Sequence, residues 1–329
     1  MDDYENDEDY IDFDADLESF DPLAQEQLPD DHRSGFIAVV GRPNVGKSTL
    51  MNAFLQQKVA IVTPKPQTTR VRQLGIVTQP KYQMIFMDTP GIMRPRHELD
   101  EFMLDTALET LADADIVLWL VDASEPPGAG DHEIAARLRQ IAGETTLILG
   151  MNKSDLLTPD EVLPRTEAYR ALLPEADNWI LFSATEGDGR DALFDMLLEA
   201  LPPGPRYYPA EQVTDPYMRD IAAEMIREQL LLQLRDEIPH GVAVQVEEFK
   251  ERETGVIYIN ATIYVERESH KKIVIGARGS QLRAVGAAAR KEIERMLGTR
   301  IYLDLWVKVE PQWRRDEKAL KRFGYASQP

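Results

Sequence analysis

Gly41-Arg-Pro-Asn-Val-Gly-Lys-Ser48 follows the apolar, β-branched run Phe36-Ile-Ala-Val-Val40 and precedes Thr49-Leu-Met-Asn-Ala-Phe-Leu55, a stretch suited to a helix. A buried parallel strand, a glycine-rich turn and a helix start, in that order, predict a phosphate-binding loop. In the pattern G-x-x-x-x-G-K-[ST], backbone N–H groups wrap phosphate oxygens, and the helix N-terminus favours the anion. Gly41, Arg42, Pro43, Asn44, Val45, Gly46, Lys47, Ser48 and Thr49 are therefore expected around the phosphates. Lys47 should reach the outer two phosphates, and the Ser48 hydroxyl should ligate Mg²⁺.

Three further motifs follow in order: Asp88-Thr-Pro-Gly91, Asn152-Lys-Ser-Asp155 and Ser183-Ala-Thr185. Asp88, at a strand end, can hold Mg²⁺ through water. Thr89 and Pro90 carry the chain to Gly91, whose N–H can face a γ-phosphate. Asp155 can accept from N1–H and the 2-amino group of guanine, a donor pair that adenine lacks, so adenine should be rejected. Asn152 can brace the base loop and the Lys153 stem can lie along the ring. Ser183, Ala184 and Thr185 bring backbone to guanine O6. The set predicts a GTP-hydrolysing protein, with Lys47, Thr69 and Gly91 nearest the chemistry.

Thr69 comes from Val62-Thr-Pro-Lys-Pro-Gln-Thr-Thr-Arg70, too proline-rich and polar for a helix or inner strand. It is expected to be a mobile loop that closes on Mg²⁺ when the γ-phosphate is present. Thr68 and Thr69 are both candidate ligands, and Thr69 is favoured. Ile92 follows Gly91, where several GTPases place a water-orienting glutamine. Isoleucine has neither donor nor acceptor, so hydrolysis should be slow, as in a switch or timer.

The 329 residues suggest about two domains. Cysteine is absent, which excludes disulfides and fits a cytoplasmic setting. No apolar run approaches the ~18 residues of a membrane span, and the acidic N-terminus has no secretory-signal pattern. Five scattered histidines give no zinc spacing. The net charge of −20 is unevenly spread. Residues 1–33 hold 14 acids and one arginine, and residues 266–329 hold 15 bases against 8 acids. Residues 1–33 are expected to be a disordered tail, whose alternative role is a nucleic-acid mimic shielding the basic C-terminal surface.

Residues 34–204 alternate apolar strands with helices expected near 99–112, 131–142, 160–172 and 190–201. That pattern predicts an α/β P-loop NTPase with a doubly wound, mostly parallel sheet. Leu201-Pro-Pro-Gly-Pro-Arg-Tyr-Tyr-Pro209 breaks it, and residues 205–215 are assigned as linker. Residues 216–329 predict a smaller α+β domain of order α-β-β-α-β. Its strands centre on Val242–Val246, Ile257–Val265 and Ile301–Val309. Gly276-Ala-Arg-Gly279 precedes a helix with Leu282, Val285, Ala289, Ile293 and Met296 on one stripe. That is the pattern of a KH domain, whose loop clamps single-stranded backbone. Lys271, Lys272, Gly276, Ala277, Arg278 and Gly279 are the expected RNA contacts.

Together, the Gly41–Ser48 loop, Pro66-Gln-Thr-Thr-Arg70 and a KH module ending in Leu305-Trp-Val-Lys-Val309 closely resemble the Era family of bacterial GTPases, over roughly residues 34–329. The resemblance implies the second KH topology and a ribosome-biogenesis switch whose GTP form binds the 3′ end of 16S ribosomal RNA in the maturing small subunit. It also implies peripheral inner-membrane association in some members, and potassium at Asn44 standing in for the missing glutamine. The chain is expected to be a monomer. Two other classes fit less well. They are an RNA chaperone with structural nucleotide and a lipid-binding regulator, the latter lacking a basic amphipathic helix rich in Trp or Phe.

Overall fold

The computed structural model describes residues 28–325, except Pro64, Pro66, Gln67, Met93, Arg94, Arg96, Glu144, 215–217, 235–237, Glu253 and Thr254. Most of the expected acidic tail and part of the Val62–Arg70 loop therefore lie outside the described residues.

The first layer is a six-stranded sheet. Its strands are β1 (Arg33–Val40), β2 (Gln73–Gln79), β3 (Tyr82–Asp88), β4 (Ile116–Asp122), β5 (Thr146–Asn152) and β6 (Asn178–Leu181), ordered β2-β3-β1-β4-β5-β6. Only β2 runs antiparallel to its neighbour. Strand β4 is buried along its whole length, as an apolar run covered on both faces requires. Helices α1 (Lys47–Leu55), α2 (Glu98–Ala112), α3 (Ala129–Ile141), α4 (Pro159–Leu172) and α5 (Arg190–Ala200) cover the faces, within two residues of the expected starts.

Register decides where the site lies. Val39 pairs with Asp88, and Asp122 pairs with Asn152, so β1, β3, β4 and β5 all end at one sheet edge. Strand β1 is flanked by β3 and β4, and the strand order reverses there, opening a crevice at the carboxyl ends.

Beyond α5 the chain follows the sheet rather than hanging free. Gln83 Oε1 accepts from the Tyr207 and Tyr208 amides at 2.8 and 3.0 Å, and Ile76 N donates to Val213 O at 2.8 Å. The KH unit then builds α6 (Met218–Gln233), β7 (Val242–Glu251), β8 (Ile257–Val265), α7 (Glu268–Ile275), α8 (Ser280–Leu297), β9 (Ile301–Val309) and α9 (Glu317–Arg322). Its sheet is ordered β7-β8-β9, with β7 antiparallel and β9 parallel to β8. The expected order lacked α7. Ile273-Val-Ile275 is β-branched and gave no helix signal, yet Val274 is buried while Lys272 and Ile273 face solvent, and packing overrides propensity. Among the described residues, no helix is long and apolar enough to cross a membrane.

A small core joins the two units. Leu99 and Met103 of α2 pack with Ala243, Tyr264, Trp313, Leu320 and Tyr325. Trp313 is wholly buried, and its Nε1 donates to Gly241 O at 2.9 Å. Trp313→Ala should cost ~3–5 kcal/mol through cavity formation and a lost hydrogen bond. Urea unfolding followed by circular dichroism is expected to show a lower midpoint, with the KH unit melting before the rest.

Candidate functional site

The Gly41–Ser48 loop leaves β1 at the sheet edge and is held by close backbone contacts. Gly46 has φ 105°, and a Cβ there would sit 2.2 Å from Asn152 Nδ2. Lys47 Nζ donates to Gly41 O at 3.2 Å and Arg42 O at 3.0 Å. Burial pulls the Lys47 ammonium down to about 8, against the pull of nearby Asp88. Burial in turn pushes the Asp88 carboxyl up, opposed by Lys47 and by hydroxyl donors from Ser48 and Thr69. A buried cation thus lines the site and a buried anion lies just behind it, each held out of water.

Three oxygens converge beside them. Ser48 Oγ donates to Asp88 Oδ2 at 2.6 Å and lies 3.1 Å from Thr69 Oγ1, itself 3.3 Å from Asp88 Oδ2. Asp88 Oδ1 is buried with no partner. Hydroxyl and carboxylate oxygens with one lone pair open suit a hard divalent cation. Thr68 turns away, its Oγ1 donating to Lys65 O at 2.7 Å. Of the two threonines, only Thr69 joins Ser48 and Asp88.

Asn152 is the cross-brace. Its Nδ2 donates to Val45 O and its Oδ1 accepts from Ala184 N, both at 2.8 Å. One buried side chain thereby ties the phosphate loop to the segment after β6. The Ala184 amide, part of the backbone expected near guanine O6, donates to this brace. Ser183 is buried and its Oγ accepts from Glu186 N, so it shapes the turn. A cavity of about 630 Å³ remains, lined by residues 42–49, Thr69, Gly91, Asn152, Lys153, Asp155 and Thr185 among others. Gly41, Asp88, Thr89 and Pro90 lie behind its wall. Thr89 Oγ1 donates to Val39 O at 2.9 Å and so serves the sheet. Ile92 is buried in the core and points away from the cavity.

Asp122 was missed by sequence reasoning. It ends β4 opposite Asn152, pairs with Lys153 Nζ and accepts from Ser124 N at 3.0 Å. Its signal was a carboxylate directly after the apolar run Ile116–Val121, at the same sheet edge.

In the KH unit the turn between α7 and α8 has Gly276, Arg278 and Gly279 at φ 73°, 50° and 77°. A Cβ at Gly276 would lie 2.8 Å from Gln281 N. Lys272, Ala277 and Arg278 are exposed, and Lys271 is half-buried. A groove of about 440 Å³ runs from Gly279 between α8 and β9, lined by Arg283, Arg290, Tyr302, Leu303 and Leu305. Those five were not anticipated, because α8 and β9 are adjacent only after folding.

Described residues of the Val62–Arg70 segment are bonded to the KH unit. Arg70 donates to Val242 O at 2.7 Å and His240 O at 2.9 Å, with Cζ 5.6 Å from the Trp313 and Tyr325 rings. Arg227 of α6 donates to Thr68 O. Glu228 accepts from Val62 N at 2.9 Å and from Lys58 Nζ at 2.6 Å.

A family model described as a 50S ribosome-binding GTPase matches residues 36–153, and one described as a KH domain matches 237–314. GTPase Era of Ruminiclostridium cellulolyticum is 48% identical over 294 residues, covering 89% of this chain and 98% of its own length. This chain belongs to the Era family of GTPases. GTPase Era of Halothermothrix orenii is 45% identical over 296 residues, 89% of this chain and 99% of its own. A crystal structure of Era in complex with MgGDPNP and nucleotides 1506–1542 of 16S ribosomal RNA matches with TM-score 0.86 at 38% identity, over 90% of this chain and 100% of that one. An Aquifex aeolicus Era variant bound to GDP·AlF4⁻ matches equally well.

Within this Era-family site, Asn152→Ala removes two buried hydrogen bonds at once. Even the nucleotide-free protein should lose about 2–3 kcal/mol, because Val45 O and Ala184 N are left unpaired. Thermal unfolding without nucleotide checks this, and the midpoint should fall clearly below wild type.

Proposed function

We propose that this Era-family GTPase binds GTP and Mg²⁺ in the cavity between the Gly41–Ser48 loop and Asp155, and relays the state of the γ-phosphate to a KH domain that binds the 3′ end of small-subunit ribosomal RNA during subunit assembly. The observation that carries the reading is the anchoring on both sides of Thr69. Thr68 O accepts from Arg227, and Arg70 is inserted among KH carbonyls and rings. A residue that senses the γ-phosphate through its cation is thus one residue from the KH domain in either direction.

Ser48, Thr69 and Asp88 would hold Mg²⁺, which when bound supplies positive charge against the phosphates. Lys47 adds charge at the outer phosphates, and binding there favours its ammonium form. Gly91 packs so closely on Pro43 that a Cβ would come 2.7 Å from the Pro43 nitrogen, so at this position only backbone would meet the γ-phosphate. No side chain follows to orient water, since Ile92 is in the core. Turnover of the unassisted protein should resemble slow GTPases, on the order of 10⁻⁴ s⁻¹.

Asp155 is exposed at the cavity mouth, where it can take the guanine edge. Asp155→Asn should shift preference from GTP toward xanthosine triphosphate, because the amide donates where the carboxylate only accepts. Calorimetry with both nucleotides tests this; equal binding of ATP and GTP by wild type would overturn the base assignment.

On the RNA side, the similarity to the Era–RNA complex and the exposed Gly276–Gly279 turn support backbone clamping. Ala277→Asp combined with Arg278→Asp should abolish binding of a 16S 3′-end oligonucleotide while GTP binding persists. Wild-type affinity should fall with salt at a log–log slope of about −0.7 per neutralised phosphate. Filter binding across salt, with a GTP analogue or GDP, measures both, and equal affinity in the two nucleotide states would refute the relay.

A further inference from the structure

Relatives covered over 98–99% of their own length align to only 89% of this chain. The unaligned tenth is about the length of the acidic residues 1–33, of which residues 1–27 lie outside the described structure and Arg33 opens β1. The charge of this segment is dense. Asp2–Asp16 holds nine acids in fifteen residues, interleaved with Tyr4, Tyr10 and Phe13 and without a single base.

The folded surface offers a complement. Lys271, Lys272, Arg278 and Arg283 surround the Gly276–Gly279 turn, and no described carboxylate lies within ion-pair distance of them. Beside them the groove has a half-buried apolar floor of Leu282, Leu303 and Leu305, with Tyr302 58% exposed at its rim. Edge strand β9 forms one wall.

We propose that the acidic segment Asp2–Leu17 occupies the groove between α8 and β9 and competes there, within the same chain, with RNA. Its regulatory meaning rests on the RNA-binding role proposed above. Ile11-Asp-Phe-Asp-Ala-Asp-Leu17 alternates apolar and acidic residues. Laid out as an extended chain, it presents Asp12, Asp14 and Asp16 on one side and Ile11, Phe13 and Leu17 on the other. Those two sides match the cations around the turn and the leucine floor. The segment imitates what RNA brings: repeated negative charge along an extended backbone, with flat rings between.

Reach is sufficient. Asp9 lies 19 residues before Leu28, the first described residue, after which the chain is bonded to the body through His32 and Asp31. At ~3.3 Å per extended residue that tether spans up to about 60 Å. A compact body of this size has a radius of gyration of roughly 19 Å, so any face is accessible. Tethering gives the segment an effective concentration on the order of millimolar, enough for a weak contact to be well occupied. If the groove is free about a tenth of the time, RNA binds about ten-fold more weakly than to an empty groove.

Zero-length carbodiimide coupling of the full-length protein tests occupancy directly. Amide links between carboxylates of residues 2–17 and Lys271 or Lys272 are expected within single chains, and a 16S 3′-end oligonucleotide should suppress them. Links to other lysines, links only between chains, or none would overturn the proposal whether or not RNA binds. Fluorescence anisotropy with the same oligonucleotide tests competition. A full-length variant carrying Asp7→Asn, Glu8→Gln, Asp9→Asn, Asp12→Asn, Asp14→Asn and Asp16→Asn should bind about ten-fold more tightly at low salt, the gain shrinking as salt rises. Unchanged affinity, with wild type still binding RNA, would refute the competition and leave the RNA role standing. Failure of both proteins to bind RNA would remove the RNA role, and the crosslink would then decide the contact alone.

Discussion

A guanidinium taken out of water couples the two halves of this protein. Arg70 is 1% exposed, and among the described residues no carboxylate is paired with it. Burial lowers its pKa, yet a guanidinium stays charged at any ordinary pH. The charge is met by the carbonyls of Val242 and His240 and by the faces of Trp313 and Tyr325. Charge-assisted bonds and cation–π contacts offset desolvation only while the geometry holds, so moving Arg70 alone would strand a bare charge. Loop and KH domain are therefore more stable moving as one body than apart. Arg227, a buried guanidinium paired with Glu224, holds the other side of Thr69 by donating to Thr68 O.

The chemistry beside that pin depends on register. Because β1, β3, β4 and β5 end together, Gly41, Asp88, Asp122 and Asn152 meet at one edge without any long loop having to fold precisely. The fold then needs only two local devices. Positive-φ glycines let the phosphate loop turn under Asn152, and Asn152 spends its whole amide on locking it. Rigid strands give precision at the edge, and the segment around Thr69 is held from the KH side by Arg227 and Arg70.

What was legible in the sequence was what is encoded within a few residues. The phosphate loop, the Asn152–Asp155 turn and the amphipathic stripe of α8 each carry their own pattern, and each element lies where that pattern put it. Helix α7 was hidden because its β-branched end reads as extended chain, and only burial of Val274 settles it. The pinned loop was hidden for a different reason. Arg70 and Trp313 are 243 residues apart, and nothing around either announces a partner. A proline-rich polar stretch reads as mobile when judged alone, and its docking on α6 is a property of the assembled chain. The spending of Ala184 N on Asn152 is of the same kind, since hydrogen-bond accounting can be closed only in three dimensions.

Charge follows a similar logic. A net −20 would argue against a nucleic-acid partner, but the field acts locally and is screened within about 8–10 Å at physiological salt. At that range an approaching phosphate chain meets either the acidic surface of the GTPase domain or the excess cations of residues 266–329. Repulsion from the first sharpens attraction to the second, so under the RNA-binding role proposed above, acidity elsewhere would favour approach toward the basic C-terminal surface. The same contrast makes that surface the favoured destination for any acidic segment tethered to the chain. A surface built to attract one polyanion cannot exclude another by charge, and occupancy is then set by tether length, ring contacts and base contacts rather than by electrostatics alone.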